Sequence, residues 1–328
     1  AVERAWMVPA TMDGLQSILT VFGEAGVTLS DEVVLMRDAW SGRLKTFLGV
    51  KDRMDLTPEL ASYNFVDPPP FGYQVAGTEA LLCRDKVIEG DDMGLGKSRM
   101  SIDAAVHRIL NGEIQRAIVV VPKSLKYTWG GNERTGIDGQ LQKWAPGELG
   151  SFRRVLVVDG TPAKRREQLM HPGAYFWIVI TYDNLMAHVE EMTRIAAGQM
   201  VIFDEVHRIK NRKSKTYEAA HTIRGKFIAA MTGTPIANRP EDVWTIADLV
   251  EPGIFGSYWG FIDKYTVRGG YEGKQILGYK NLADMHRRLD SIMIRRTKEQ
   301  CLPHLPPKMY QTIYLDMEAD QAKAYKQM

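Results

Sequence analysis

Between residues 86 and 230 the apolar residues recur in short, nearly unbroken runs. The runs cover residues 86–88, 117–121, 154–158, 176–180, 200–203 and 227–230, and each is bounded by Gly, Pro, Asp or Thr. Each is too short for a helix of average length, and an apolar run without polar alternation suits a strand buried on both faces. Segments of helical period lie between several of them. The clearest is 98–110, where Met100, Ile102, Ala105, Val106, Ile109 and Leu110 share one side and Asn111-Gly112 supplies a stop signal. Strands alternating with helices predict an α/β fold, a parallel sheet with helices on both faces. In such sheets ligands bind beyond the carboxyl ends of the strands, so the residues closing each run are where chemistry is sought.

The pattern changes on either side. Residues 1–65 form a mildly acidic segment with scattered Trp and Leu, closed by Asp67-Pro68-Pro69-Pro70, and read as a small accessory domain ahead of a main unit at 66–250. Residues 251–308 are richer in aromatics, Gly and Arg and read as a helical insertion and linker, with a helix at 281–293. A strand-like stretch at 310–315 and a helix start then occupy 309–328.

Composition narrows the class without naming a function. Of 328 residues 45% are apolar and 25% charged, ordinary values for a chain with a packed core. The net charge of +2 spreads no nucleic-acid footprint over the surface, so any such footprint is local. Cys83 and Cys301 stand far apart, without metal-ligand or redox spacing. No apolar run reaches the roughly 20 residues of a membrane span, and the first ten residues lack the basic-then-apolar start of a secretory signal. A soluble, intracellular protein with no membrane partner is expected.

Directly after the first run stands Gly90-Asp91-Asp92-Met93-Gly94-Leu95-Gly96-Lys97-Ser98. A glycine-rich turn between strand and helix lets backbone N–H groups converge on phosphate oxygens, and the helix adds its positive end. Lys97 would reach the outer phosphates and Ser98 would hold Mg²⁺. The usual pattern has Gly six places before the lysine, where this chain has Asp91. A later run ends in Phe203-Asp204-Glu205-Val206-His207. Asp204, at a strand tip beside a phosphate loop, suits the Mg²⁺ shell, and Glu205 suits a general base for an attacking water. His207 is either a structural hydrogen-bonder or a coupling residue. The last run leads into Met231-Thr232-Gly233-Thr234-Pro235, whose hydroxyls can bridge the carboxylates to the far side of a cleft or simply form a turn.

Taken in order, DDMGLGKS, VVVPKSL, VITYDNL, VIFDEVHRIKN, MTGTPIAN and MIRRTKEQCLPHLPPK resemble the Swi/Snf family of DNA-dependent ATPases over residues 66–328. Val206, Ser98 and Ala237 depart from the family's usual Ala, Thr and Gln, and none of these removes a reacting group. The resemblance implies a RecA-like ATP-binding lobe that faces a second such lobe across the nucleotide, with 309–328 as the start of that second lobe. It implies ATP contacts by Asp92, Met93, Gly94, Leu95, Gly96, Lys97 and Ser98. It also implies an adenine contact by Gln74, whose amide suits the N6 and N7 edge of that base. Thr232, Gly233 and Thr234 would take the coupling role.

Arg208, Lys210, Arg212, Lys213 and Lys215 place five positive charges within eight residues. They make either a solvated face or a phosphate track. The resemblance adds Lys123, Ser124, Thr181, Tyr182, Asn211 and Ser214 as contacts to double-stranded DNA with little sequence preference. A translocase on duplex DNA, a strand-separating DNA or RNA helicase, and a nucleotide-gated DNA-binding module without turnover all fit. Because the charge-neutralising arginine of such motors comes from the opposing lobe, this chain is expected to bind ATP and turn it over poorly.

Overall fold

A computed structural model describes residues 30–56, 67–132, 135–145, 150–233, 240–270 and 275–306. Thr234, residues 1–29 and 57–65 of the accessory segment, and the stretch 309–328 lie outside these. The strands in chain order are β1 (Lys86–Glu89), β2 (Ala117–Val121), β3 (Val155–Val157), β4 (Trp177–Thr181), β5 (Met200–Phe203), β6 (Phe227–Met231), β7 (Thr266–Gly269), β8 (Gln275–Tyr279) and β9 (Met293–Ile294). Seven of them form one sheet in the order β3-β4-β2-β5-β6-β1-β9, and every pairing in it is parallel. The six strands read from the sequence are present within a residue of their expected bounds.

The continuous apolar runs follow from burial on both faces. In β2, Ile118 and Val120 enter one core, while Ala117, Val119 and Val121 enter the other. β4 alternates in the same way, with Ile178 and Ile180 against Trp177 and Val179. One face is covered by α1 (Asp31–Val50), α2 (Gly72–Cys83) and α3 (Lys97–Leu110), which contribute Phe47, Ala80, Leu81, Met100 and Ile102. Helices Tyr182–Ala187, Val189–Ala196, Lys215–Thr222 and Asp242–Val250 cover the other. Trp177 is wholly buried and donates its indole N–H to Phe152 O at 2.9 Å. Truncating it to Ala would cost about 3–5 kcal/mol.

The segment after β6 differs from a purely helical insertion. It contains helices Tyr258–Tyr265 and Leu282–Asp290, with the antiparallel hairpin β7–β8 between them. The helix expected over 281–293 stops at Asp290, and the next residues re-enter the sheet as β9, hydrogen-bonded beside β1. Phe255, Phe261, Tyr265, Met285 and Leu289 join the core under the sheet. At its other end α1 lays Phe47 into the opposite core, so this part of the N-terminal segment is packed on the main unit.

The parallel register brings the strand ends level. Glu89 pairs with Met231, Phe203 with Ala230, and Val120 with Phe203. The loops after β1, β5 and β6 therefore open on one rim.

Candidate functional site

The phosphate-loop geometry starts where β1 ends. Gly94 and Gly96 have φ of 87° and 86°, and Gly96 caps α3 from a left-handed conformation. A side chain at Gly96 would also collide with Gln74, since a Cβ there would lie 2.3 Å from its amide nitrogen. Only glycine satisfies both conditions. Leu95 turns into the core and Met93 faces solvent, so both offer a ligand their backbone only or a flexible flank. The first N–H groups of α3 have no partner inside the helix and point out of its positive end.

Lys97 Nζ donates to Asp91 O at 2.7 Å and to Asp92 O at 3.2 Å. Burial lowers its pKa, against the opposing pull of Glu89, Asp91, Glu205 and Asp204. The structure thus brings Lys97 into the field of both acids read from the second motif. Asp204 sits at the tip of β5, held by its own N–H to Val120 O at 2.8 Å. Its carboxylate accepts from the Trp129 indole at 2.7 Å and from Glu205 N at 3.0 Å. Burial raises its pKa, the Trp129 hydrogen bond lowers it, and the Glu205 charge raises it again. Glu205 occupies a left-handed backbone conformation, φ 50° and ψ 51°, at a cost of about 1 kcal/mol for a residue with a side chain. Backbone strain of this kind clusters at functional sites. His207 Nδ1 lies 3.1 Å from Glu205 Oε2. The third motif abuts the loop: Thr232 N donates to Glu89 O at 3.0 Å, and a Cβ on Gly233 would meet Met93 at 2.6 Å.

Two expected nucleotide contacts have other partners. Asp92 gives its N–H to Arg296 O at 3.0 Å, and its carboxylate faces Arg295 at 2.8 Å and accepts from Lys298 N at 3.0 Å. Gln74 accepts from Phe71 N at 3.1 Å and donates to Leu95 O at 3.2 Å, which places its amide across the loop. It keeps one N–H and one lone pair for a base.

The candidate DNA residues divide. Lys123 and Ser124 stand exposed on the turn after β2, and Arg208, Lys210, Asn211 and Lys213 are exposed after β5, the neighbouring strand. Thr181 and Tyr182 are buried instead. Thr181 caps the next helix by accepting from Asn184 N at 3.2 Å, and Tyr182 donates its hydroxyl to Asp204 O at 2.9 Å. Their side chains therefore brace the rim. Ser214 likewise caps the helix Lys215–Thr222, accepting from Tyr217 N at 3.2 Å. Arg212 packs over Tyr258 at 4.3 Å from the ring centroid.

Sequence reasoning missed two groups. Trp129 holds the Asp204 carboxylate, and only the fold brings its indole 75 positions along the chain to that residue. Glu89, wholly buried at the end of β1, accepts from the Ser101 hydroxyl and has its other oxygen unpartnered. Burial pushes its pKa up to about 8, so it is largely neutral at pH 7. Among the described residues no three His, Cys, Asp or Glu form a metal-binding group.

Comparison with known proteins gives this geometry a context. The SNF2-related domain matches residues 64–328. An "Uncharacterized ATP-dependent helicase" of Mycoplasma pneumoniae is 28% identical over 241 residues, covering 73% of this chain and 21% of its own length. The "DNA repair and recombination protein RAD54B" of Gallus gallus is 29% identical over 255 residues, covering 74% of this chain and 26% of its own. The chain thus spans about a quarter of these relatives. A solved "Sulfolobus solfataricus SWI2/SNF2 ATPase core in complex with dsDNA" matches with a TM-score of 0.60 and 25% identity, over 83% of this chain and 54% of that one. No helix among the described residues is long and apolar enough to cross a membrane.

Proposed function

The chain belongs to the SNF2-related family, and from that premise we propose that it is the ATP-binding lobe of a motor that moves along double-stranded DNA. The observation that carries this reading is the level strand register that sets the glycine loop after β1 and the Asp204-Glu205 tip of β5 on one rim, with Lys97 in the electrostatic field of both acids. Nucleotide phosphates would lie over the loop at the positive end of α3, with Lys97 against the outer oxygens. Bound there with its triphosphate, Mg²⁺ supplies charge neutralisation, and Ser98 and Asp204 are the groups that would hold it. Glu205 would accept the proton of the attacking water, and His207, 3.1 Å from its carboxylate, would take a coupling role. Thr232, Gly233 and Thr234 would pass the state of the site to the far side of the cleft.

The exposed cations after β2 and β5 would follow DNA phosphates without reading bases. That the similar Sulfolobus ATPase core was solved in complex with double-stranded DNA supports duplex DNA as the partner. Arg295 and Arg296 are occupied with the loop's own acids. The arginine that neutralises the transferring phosphoryl group would therefore come from an opposing lobe, a contribution typically of about 10³–10⁵ in rate. Steady-state ATP hydrolysis with duplex and with single-stranded DNA tests the proposal, on the chain alone and joined to its opposing lobe. Duplex-stimulated turnover that needs the opposing lobe is expected. Stimulation by single strands only would favour a strand-separating helicase, and DNA binding without any turnover would leave a nucleotide-gated binding module.

A further inference from the structure

The stretch 295–298 takes no part in the chemistry above, yet it grips the phosphate loop at three consecutive residues. Gly90 donates its N–H to Ile294 O at 2.8 Å and accepts from Arg295 Nη1. Asp92 is tied to Arg295, Arg296 and Lys298 as described. Between them Asp91, with no exposed surface, meets Arg296, which is 1% exposed. Arg296 gives Asp91 its backbone N–H at 2.9 Å, Nε at 3.1 Å and Nη2 at 2.5 Å. Its remaining Nη1 goes to Tyr73 O, and the guanidinium lies 5.6 Å from the Tyr73 ring.

Strand pairing alone does not call for this. The β1–β9 ladder already attaches the segment through Ile88 N to Ile292 O and Gly90 N to Ile294 O, with no charges involved. A buried ion pair is also a poor source of stability, because desolvating both charges offsets most of their attraction. What a guanidinium fork does supply is fixed geometry for a carboxylate. The carbonyl of Asp91 is the one that Lys97 Nζ binds at 2.7 Å, and that of Asp92 binds it at 3.2 Å. Fixing the Asp91 side chain fixes the peptide on which Lys97 rests. Tyr73 precedes Gln74, whose amide spans the loop, so the same guanidinium fixes both flanks. This also explains why an acid stands where phosphate loops usually have Gly.

We propose that Arg296 is a positioning residue for the phosphate site: through Asp91 it sets the loop peptides that present Lys97 to the nucleotide. The proposal rests on the reading of this loop as an ATP site. It is tested by binding of ATP and AMP to the chain and to the double variant Asp91→Ala/Arg296→Met, which removes both buried charges together. Thermal melting checks that the fold persists. ATP binding should weaken at least about tenfold, and clearly more than binding of AMP, which lacks the outer phosphates. Arg296→Lys, which keeps the charge and loses the fork, should fall between parent and double variant. A folded double variant that binds ATP like the parent overturns the proposal, as does equal weakening for ATP and AMP, the mark of a purely structural role. Should the double variant not fold, amide exchange in the parent decides: ATP, and not AMP, should slow the amides of Arg296 and Lys298, and unchanged exchange overturns the proposal. A parent that binds no ATP removes the nucleotide reading itself, an outcome distinct from parent binding with an unresponsive variant.

Discussion

At β1 and β6 the rim of the sheet carries Glu89, Asp91 and Thr232 with almost no exposure, each in a hydrogen bond or ion pair. At β2 and β5 the same rim ends in Lys123, Arg208, Lys210 and Lys213, all facing solvent. The first region is wired by contacts between distant parts of the chain, 205 positions apart for Asp91 and Arg296. The second is held by local turns such as Lys213 N to Asn211 Oδ1 at 3.1 Å, with looser long-range contacts from Lys210 to Asp242 at 4.0 Å and from Arg212 to the Tyr258 ring. A small ligand with several charges needs donors held in place before it arrives, because only fixed dipoles discriminate by geometry. A polyanion taken up at any point along its length needs charge density and freedom to adjust. Trp129 and Tyr182 stand between the two regions, with one hydrogen bond each to Asp204.

The sharpest break between the regions is expected from Glu205→Gln. The amide keeps the shape and cannot take a proton, so turnover in the complete motor should fall by about 10²–10⁴ while ATP and DNA binding persist. Single-turnover hydrolysis set beside equilibrium binding reads this directly, and near-parental turnover would remove Glu205 as the base. On the exposed side, Lys210→Ala with Lys213→Ala should lower DNA affinity on every sequence alike. The log–log salt slope should become shallower by up to about 1.8, with ATP affinity unchanged. A slope that does not move makes the basic run a solvated face.

Smaller effects probe the join. Trp129→Phe removes the hydrogen bond that holds the Asp204 pKa down. Asp204 should then ionise at higher pH, so the Mg²⁺ dependence of nucleotide binding should shift to higher pH in the variant. Identical profiles would show that the indole only packs.

The smallest effect is on stability. Glu89 titrates at about 8 when folded and near its ordinary value of about 4.3 when unfolded. The folded state therefore holds the extra proton between those values, and the contribution of Glu89 to stability declines as pH rises from about 4.3 to about 8. Glu89→Gln removes that decline, so its melting temperature relative to the parent should rise by a few degrees from pH 5 to pH 8. A difference independent of pH would mean that Glu89 is ionised in the fold.

How much of this could be read from the chain follows from the same contrast. Strands buried on both faces declare themselves as continuous apolar runs, so β1 to β6 were legible together with the loops that close them. β9 was not. Two residues, Met293 and Ile294, carry too little pattern, and the helical period before them runs on past Asp290. The residue types at Lys97, Asp204 and Glu205 pointed to the rim because their chemistry is local to each loop. The Arg296–Asp91 pair and the Trp129–Asp204 bond join distant positions, and nothing in the spacing announces them. Thr181 and Tyr182 show the converse, since the motif suggested a surface and the β4 terminus turns both side chains inward.

The central claim, that the wired region is a nucleotide site built on Lys97, is tested most directly by titrating the chain and its Lys97→Ala variant with a fluorescent ATP analogue. Melting curves confirm that both are folded. The variant should lose about 10- to 100-fold in affinity, the contribution of a charged hydrogen-bond partner. Equal affinity in a folded variant would contradict it.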